Sequence, residues 1–188
     1  MSKQSTYQQI VNAADNLFYQ NGFEHTSFTD ISNLVSISRG NFYHHFKTKN
    51  DILSAVIKAR LANTQAMLDE WQTAEATPEG RIKCYIHILL TNWDKIQHYG
   101  CPVGTLCTEL AKLNHASKEE ATQVFTLFRQ WLKQQFKQLG HVDDADQLAM
   151  HVLAWSQGVA TISSTFQNKE FAEQEVQKIN AWLDKLNH

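Results

Sequence analysis

Apolar residues recur at intervals of three and four along most of this 188-residue chain. That period lines up one face of an α-helix. Tyr7, Ile10, Val11, Ala14, Leu17 and Phe18 form the first stripe, and Asn21-Gly22 ends it, glycine best tolerating the left-handed position after a helix. Ser27-Phe28-Thr29-Asp30 reads as a capping box opening a short second helix through Ile31, Leu34 and Val35. After a tight Ser36-Ile37 connection, Ser38 caps a third short helix carrying Phe42, Tyr43 and Phe46. Thr48-Lys49-Asn50-Asp51 repeats the box and starts a long helix, with Ile52, Leu53, Val56, Ile57 and Leu61 inward, that runs to about Trp71.

Thr77-Pro78 supplies an N-cap with proline in the first turn of a fifth helix, whose apolar face is Ile82, Tyr85, Ile86, Leu89, Trp93 and Ile96. Tyr99-Gly100-Cys101-Pro102 stops it, and a short sixth helix covers about Val103 to Asn114. Ser117-Lys118-Glu119-Glu120 is a further capping box, leading into Val124, Phe125, Phe128, Trp131, Leu132 and Phe136, with Gly140 at the end. Asp143-Asp144 opens an eighth helix, and the last runs from about Phe171 through Val176, Ile179, Leu183 and Leu186. The expectation is an all-α chain of about nine helices: a three-helix head over residues 1–50, a bridging helix over about 49–72, and a helical body over 51–188.

Seven glycines and two prolines fit that expectation and leave little room for an all-β fold. No apolar run approaches the roughly 18–20 residues of a membrane span, and the N-terminal stretch lacks the apolar core of a signal peptide. A soluble, cytoplasmic protein with no membrane partner is expected. Three cysteines, Cys84, Cys101 and Cys107, cannot close a disulfide framework and suit reduced thiols. Net charge is −2, yet residues 1–60 hold six basic groups (Lys3, Arg39, Lys47, Lys49, Lys58, Arg60) against four acids. A mildly basic head on an acidic body suits an anionic partner.

Two short helices joined by about four residues and braced by a longer one describe a helix-turn-helix, whose second helix fits the major groove of DNA. On the third helix Phe42 and Phe46 face inward, leaving Arg39, Gly40, Asn41 and His44 on other faces. Arginine can bind guanine, and asparagine adenine, in bidentate fashion. Gly40 permits close backbone approach, Tyr43 offers a hydroxyl, and Lys49 sits at a helix start where phosphate is favoured. The competing reading is that these polar residues merely coat a solvated helix.

The segment Thr26-Ser27-Phe28-Thr29-Asp30-Ile31, followed by Ile37 through Leu53, resembles the TetR/AcrR family of bacterial regulators. Ile31, Ser38, Gly40, Tyr43, Phe46, Lys49 and Leu53 match at fixed spacing, with Ile37 for the usual valine, and Ser36 replaces the usual turn glycine. The resemblance spans about residues 5–55 by motif and the rest by helix count. It implies a homodimer that binds a near-palindromic double-stranded DNA operator. Tyr43, Lys49 and Ser27 or Thr29 would meet phosphates, Arg39, Gly40 and Asn41 would read bases under the Ser38 cap, and His44 would pack along the sugar-phosphate edge. It also implies a repressor released by a small effector held among helices four to seven, with Tyr85, Trp93, Phe125, Phe128 and Trp155 as candidate lining for a hydrophobic or aromatic ligand.

In the eighth helix Leu148, Val152, Trp155, Val159 and Ile162 alternate steps of four and three. With Gly158, Ile179 and Leu183 they suit a four-helix dimer interface, the competing reading being monomer core. The run Gly100-Cys101-Pro102-Val103-Gly104-Thr105-Leu106-Cys107 places Cys101 near a helix start, where the dipole favours thiolate. Cys101 and Cys107 are therefore candidate thiol sensors or simply packing. His87, His98, Cys101, Cys107 and His115 match no zinc spacing. No phosphate loop, nucleophile elbow or paired metal histidines point to an enzyme. No metal or cofactor is expected, and the alternatives are a helical enzyme built from dispersed carboxylates or an activator or adaptor using the same head.

Overall fold

The computed structural model describes residues 5–186. Lys3, counted above in the basic head, lies outside them. Ten helices and no strand occur among the described residues: α1 (Thr6–Asn21), α2 (Phe28–Val35), α3 (Arg39–His45), α4 (Lys49–Ala74), α5 (Pro78–Thr91), α6 (Trp93–Tyr99), α7 (Pro102–Lys112), α8 (Lys118–Gln138), α9 (Ala145–Phe166) and α10 (Lys169–Leu186). The count becomes nine when α5 and α6 are taken as the single fifth helix of the sequence reading. Asn92 divides that helix because its side-chain amide and its backbone N–H both donate to the Ile88 carbonyl. Such local side-chain bonds compete with the helical ladder.

The chain forms two compact units. One holds the residues up to Asn63 together with Thr105–Gln123, and the other holds Thr64–Gly104 and everything from Val124 onward. The first unit buries Ile10, Val11, Ala14, Phe18, Ile31, Phe42, Phe46, Ile52, Leu53, Val56 and Ile57, and its core also takes in Leu106, Leu110 and Ala121. The C-terminal part of α7 and the start of α8 therefore pack with the head, a long-range pairing that periodicity does not reveal. In the second unit Leu89, Trp93, Ile96, Val159, Ala160 and Ala172 form one core cluster.

The caps form largely as their residue types dictate. Ser27 accepts from the Asp30 N–H while Asp30 takes the Ser27 N–H, completing the box, and Thr48 and Asp51 exchange the same pair of bonds. Ser38 accepts from the Asn41 N–H, and Thr77 from the Gly80 N–H with Pro78 in the first turn. Ser117 and Glu120 behave differently. The Ser117 N–H donates to His115 Nδ1, and Glu120 accepts from the Ser54 hydroxyl.

The expected interface stripe on α9 is corrected. Val152 and Val159, with Ile179 and Leu183 on α10, are at most 5% exposed within one chain. They are intrachain core and cannot face a second copy. Leu148 and Trp155 are half-buried, whereas Gly158 and Ile162 are exposed. The outward face of α9 is Met150, Ala154, Gly158, Ile162 and Phe166, with Phe166 72% exposed.

Between α2 and α3, Ser36 takes the left-handed conformation at φ 57°, ψ 41°. Its N–H donates to the Asn33 carbonyl at 3.1 Å, and the Ile37 N–H to the Ser32 carbonyl at 3.3 Å, a helix-terminating pattern that glycine fits without a Cβ penalty. Replacing serine there relieves strain of about 1 kcal/mol. Thermal melts should therefore place Ser36→Gly above the parent protein; an unchanged or lower midpoint would show that the serine carries no strain.

Candidate nucleic-acid interface

A seven-residue helix such as α3 is too short to persist alone in water, so its position is set by what it buries. Phe42 is 1% exposed and meets Phe28 of α2 edge-on at 5.1 Å between ring centroids. Phe46, just past the helix, stacks on Tyr7 of α1 at 5.0 Å. With one side pinned to α1 and α2, the other side is dictated by the helical period. Arg39, Gly40, Asn41, Tyr43 and His44 are all exposed, as the sequence reading requires of a reading face.

Thr29, Arg39 and Tyr43 line one cavity of about 170 Å³, along with Phe28, Ser32 and Phe42. Three of the expected DNA contacts thus converge on one concavity between the start of α2 and the first turn of α3. Tyr43 is held by its ring, edge-on to Phe28 at 5.6 Å, which leaves it 46% exposed. The Ser27 hydroxyl is engaged in the cap, donating to Asp30 Oδ2 at 2.7 Å. A Cβ built on Gly40 would meet nothing within 4 Å, and its φ is not in the left-handed region. Nothing inside the chain requires glycine at that position.

Two basic residues depart from expectation. Lys49 is not turned outward: its ammonium donates to the Phe23 and Glu24 carbonyls at 3.0 and 3.1 Å and sits 4.3 Å from the Phe23 ring centroid. Lys47, which the sequence reading counted only as charge, donates from Nζ to the Tyr43 carbonyl at 2.6 Å. It brings positive charge to the C-terminal end of α3, where a cation is favoured.

In the second unit the proposed effector residues fall into two groups. Trp93 lies in the α6–α9 core with Trp155, Leu90, Cys101 and Phe171 packed against it. Tyr85 meets Phe128 edge-on at 5.2 Å, and Phe125 is half-buried. The Tyr85 hydroxyl lies 3.0 Å from Ser156 Oγ, and burial pushes its phenol far above the usual range. Gln157 Nε2 donates to Ser156 Oγ at 3.3 Å and to Cys101 Sγ at 3.4 Å, and the Gly104 N–H also donates to that sulfur. A Cβ on Gly104 would run into Gln157 Oε1, so a larger residue there would displace the Gln157 amide. The Trp155 indole N–H is buried without a partner.

All three cysteines are half-buried thiols, and burial raises Cys84, disfavouring its thiolate. No three His, Cys, Asp or Glu side chains come together as a metal site among the described residues. No helix among them is long and apolar enough to cross a membrane.

Comparison with known proteins bears on this geometry. Residues 10–56 match the family described as "Bacterial regulatory proteins, tetR family". Residues 78–174 match "Transcriptional regulator LmrA/YxaF-like, C-terminal domain". An uncharacterized HTH-type transcriptional regulator from the lacX 3' region of Lactococcus lactis subsp. lactis is 28% identical over 65% of this chain and 63% of its own length. The HTH-type transcriptional repressor DhaR of Mycobacterium sp. (strain GP1) is 23% identical over 71% of this chain and 65% of its own. The chain thus spans under two thirds of the length of these curated relatives. A TetR transcriptional regulator from Legionella pneumophila has the same fold, with a TM-score of 0.85 over 99% of both chains at 21% identity. The two family matches define the class, that of helix-turn-helix transcriptional regulators. The chain belongs to the TetR family.

The capping carboxylates link this face to pH. Bonds from Ser27 to Asp30 and from Thr48 to Asp51 hold both carboxyls below their ordinary value. Their stabilisation is complete above the ordinary carboxylate pKa of about 3.9 and is lost as pH falls through the lowered folded values. Asp30→Asn with Asp51→Asn should therefore lower stability at neutral pH and flatten its decline below about pH 4. Urea melts across pH 2–7 would read this; an acid limb as steep as the parent's would contradict it.

Proposed function

We propose that this chain is a cytoplasmic repressor that holds a near-palindromic DNA operator as a homodimer and releases it when a small effector occupies the body. The observation that carries the DNA-reading role is Gly40. A glycine inside a helix costs about 1 kcal/mol relative to alanine, and here no internal contact or backbone requirement accounts for it. The reason lies outside the chain, in a surface that must approach the α3 backbone closely. Arg39 and Asn41 flank it as readers of guanine and adenine edges. Thr29, Tyr43 and the Ser27 and Ser38 caps lie where phosphates would fix the register, with His44 along the sugar-phosphate edge.

Gly158 supports the dimer by the same reasoning. It is exposed, a Cβ there would meet nothing within 4 Å, and it sits between Met150 and Ile162, which are 44% and 43% exposed. A second α9 crossing at this glycine would cover the apolar face and supply the two-fold symmetry a palindrome needs. The repressor role takes support from the mycobacterial relative DhaR, a transcriptional repressor by name.

For the effector, the buried and unpartnered Trp155 N–H beside Trp93 suits a small aromatic molecule bearing an acceptor oxygen. Cys101 favours a second reading, a thiol-reactive effector, because its half-buried sulfur is where the Gly104 N–H and the Gln157 amide converge.

Footprinting on DNA flanking the gene, before and after mild oxidation, tests the regulator reading. A protected near-palindrome is expected, and its loss on oxidation but not in Cys101→Ser would select the thiol-reactive effector. Gly40→Ala should raise the melting temperature while weakening operator binding; unchanged binding would remove the observation on which the reading rests. Arg39→Ala should cost roughly 1–3 kcal/mol on the operator and little on random DNA. Ile162→Glu should sediment as a folded monomer, whereas an intact dimer would place the interface elsewhere.

A further inference from the structure

The segment joining α1 to α2 is gripped along both edges. Beyond Gly22, the Phe23 and Glu24 N–H groups each donate at 2.9 Å to one oxygen of the Glu109 carboxylate, which α7 supplies. The carbonyls of the same two residues accept from the Lys49 ammonium, which α4 supplies. A carboxylate and an ammonium thus complement two consecutive residues without touching one another. Consecutive backbone N–H groups form an anion-binding concavity, and bonds to charged partners are about twice as strong as neutral ones.

The grip extends further. The His115 ring, just beyond α7, meets Phe23 edge-on at 5.1 Å. Its Nδ1 accepts from the Ser117 N–H, which leaves Nε2 as the donor to Asn50 Oδ1 at 3.1 Å. A Cβ on Gly22 would press on the Glu109 carboxylate at 3.0 Å. On the far side of the segment the buried Thr26 hydroxyl bonds the Gly22 carbonyl at 2.7 Å, and Ser27 opens α2 directly after it.

We propose that Glu109 is a positioning residue for DNA binding. Through the Phe23 and Glu24 backbone it fixes the start of α2, and with it α3, against α7, while Lys49 secures the opposite edge from inside the head. This rests on the regulator reading above and adds to it a residue that approaches no DNA and carries the charge opposite to one that would bind phosphate.

Three variants test it: Glu109→Gln, which sets an amide donor against one of two N–H groups; Lys49→Met, which frees the other edge while leaving Glu109 in place; and the double variant. Each is checked for folding by circular dichroism and titrated by fluorescence anisotropy against the footprinted operator at several salt concentrations. Glu109→Gln should weaken binding by about tenfold, the scale of one charge-assisted bond, with the salt slope unchanged because no phosphate contact is lost. Lys49→Met should weaken binding with the slope unchanged, and the double variant should fall well short of the product of the single effects, since both act on one segment.

Parent-like affinity in folded Glu109→Gln would overturn the proposal. If Glu109→Gln does not fold, Lys49→Met decides: a slope reduced by about one would make Lys49 a phosphate contact and overturn the clamp. A parent protein that binds no duplex would overturn the regulator reading itself, and the positioning role with it.

Discussion

The short helix α3 exists because Phe42 is buried. Seven residues cannot hold a helix in water, so α3 keeps its place chiefly through Phe42, 1% exposed against Phe28, with Phe46 stacked on Tyr7 just past its end. Removing a buried aromatic of this kind typically costs about 3–5 kcal/mol, a large share of the stability of a small domain. Once Phe42 points inward, the helical period decides which neighbours point out. The exposure of Arg39, Gly40, Asn41, Tyr43 and His44 follows from that one constraint. The caps at Ser27, Ser38 and Thr48 then fix where each short helix begins.

Stability and recognition draw on the same residues here in different ways. The Ser36 turn holds a non-glycine residue in left-handed geometry, and Gly40 sits where alanine would make a better helix. Each sacrifices local stability, and the surrounding core tolerates it. The polar clamp on Phe23 and Glu24 satisfies backbone groups that a loop between two helices would otherwise leave to water.

Much of the head was legible because its signals are local. Three-and-four spacing and cap residues act within one turn, so α1 to α4 and their starts could be read directly from residue types. Family motif and local chemistry also agreed on the outward face of α3. Less legible was anything set by partners distant in sequence. Lys49 looks like a phosphate ligand by position, and only the structure shows its ammonium held by the carbonyls of residues 23 and 24, while Glu109 gave no signal at all. Ser117 and Glu120 have capping-box spacing, but His115 and Ser54 lie closer to hand. On α9, periodicity located an apolar stripe without saying whether this chain or a second copy covers it. Val152 and Val159 proved to be the inner stripe; Met150, Gly158 and Ile162 mark the outer one.

The central claim is that the outward face of α2 and α3 meets duplex DNA. Amide chemical-shift mapping of the protein during titration with the footprinted duplex tests it most directly, because it reports the face and not merely the affinity. The account predicts the largest changes at residues 27–29 and 38–44, with α9 little affected. Changes centred on α9 or α10, with residues 38–44 silent, would contradict it.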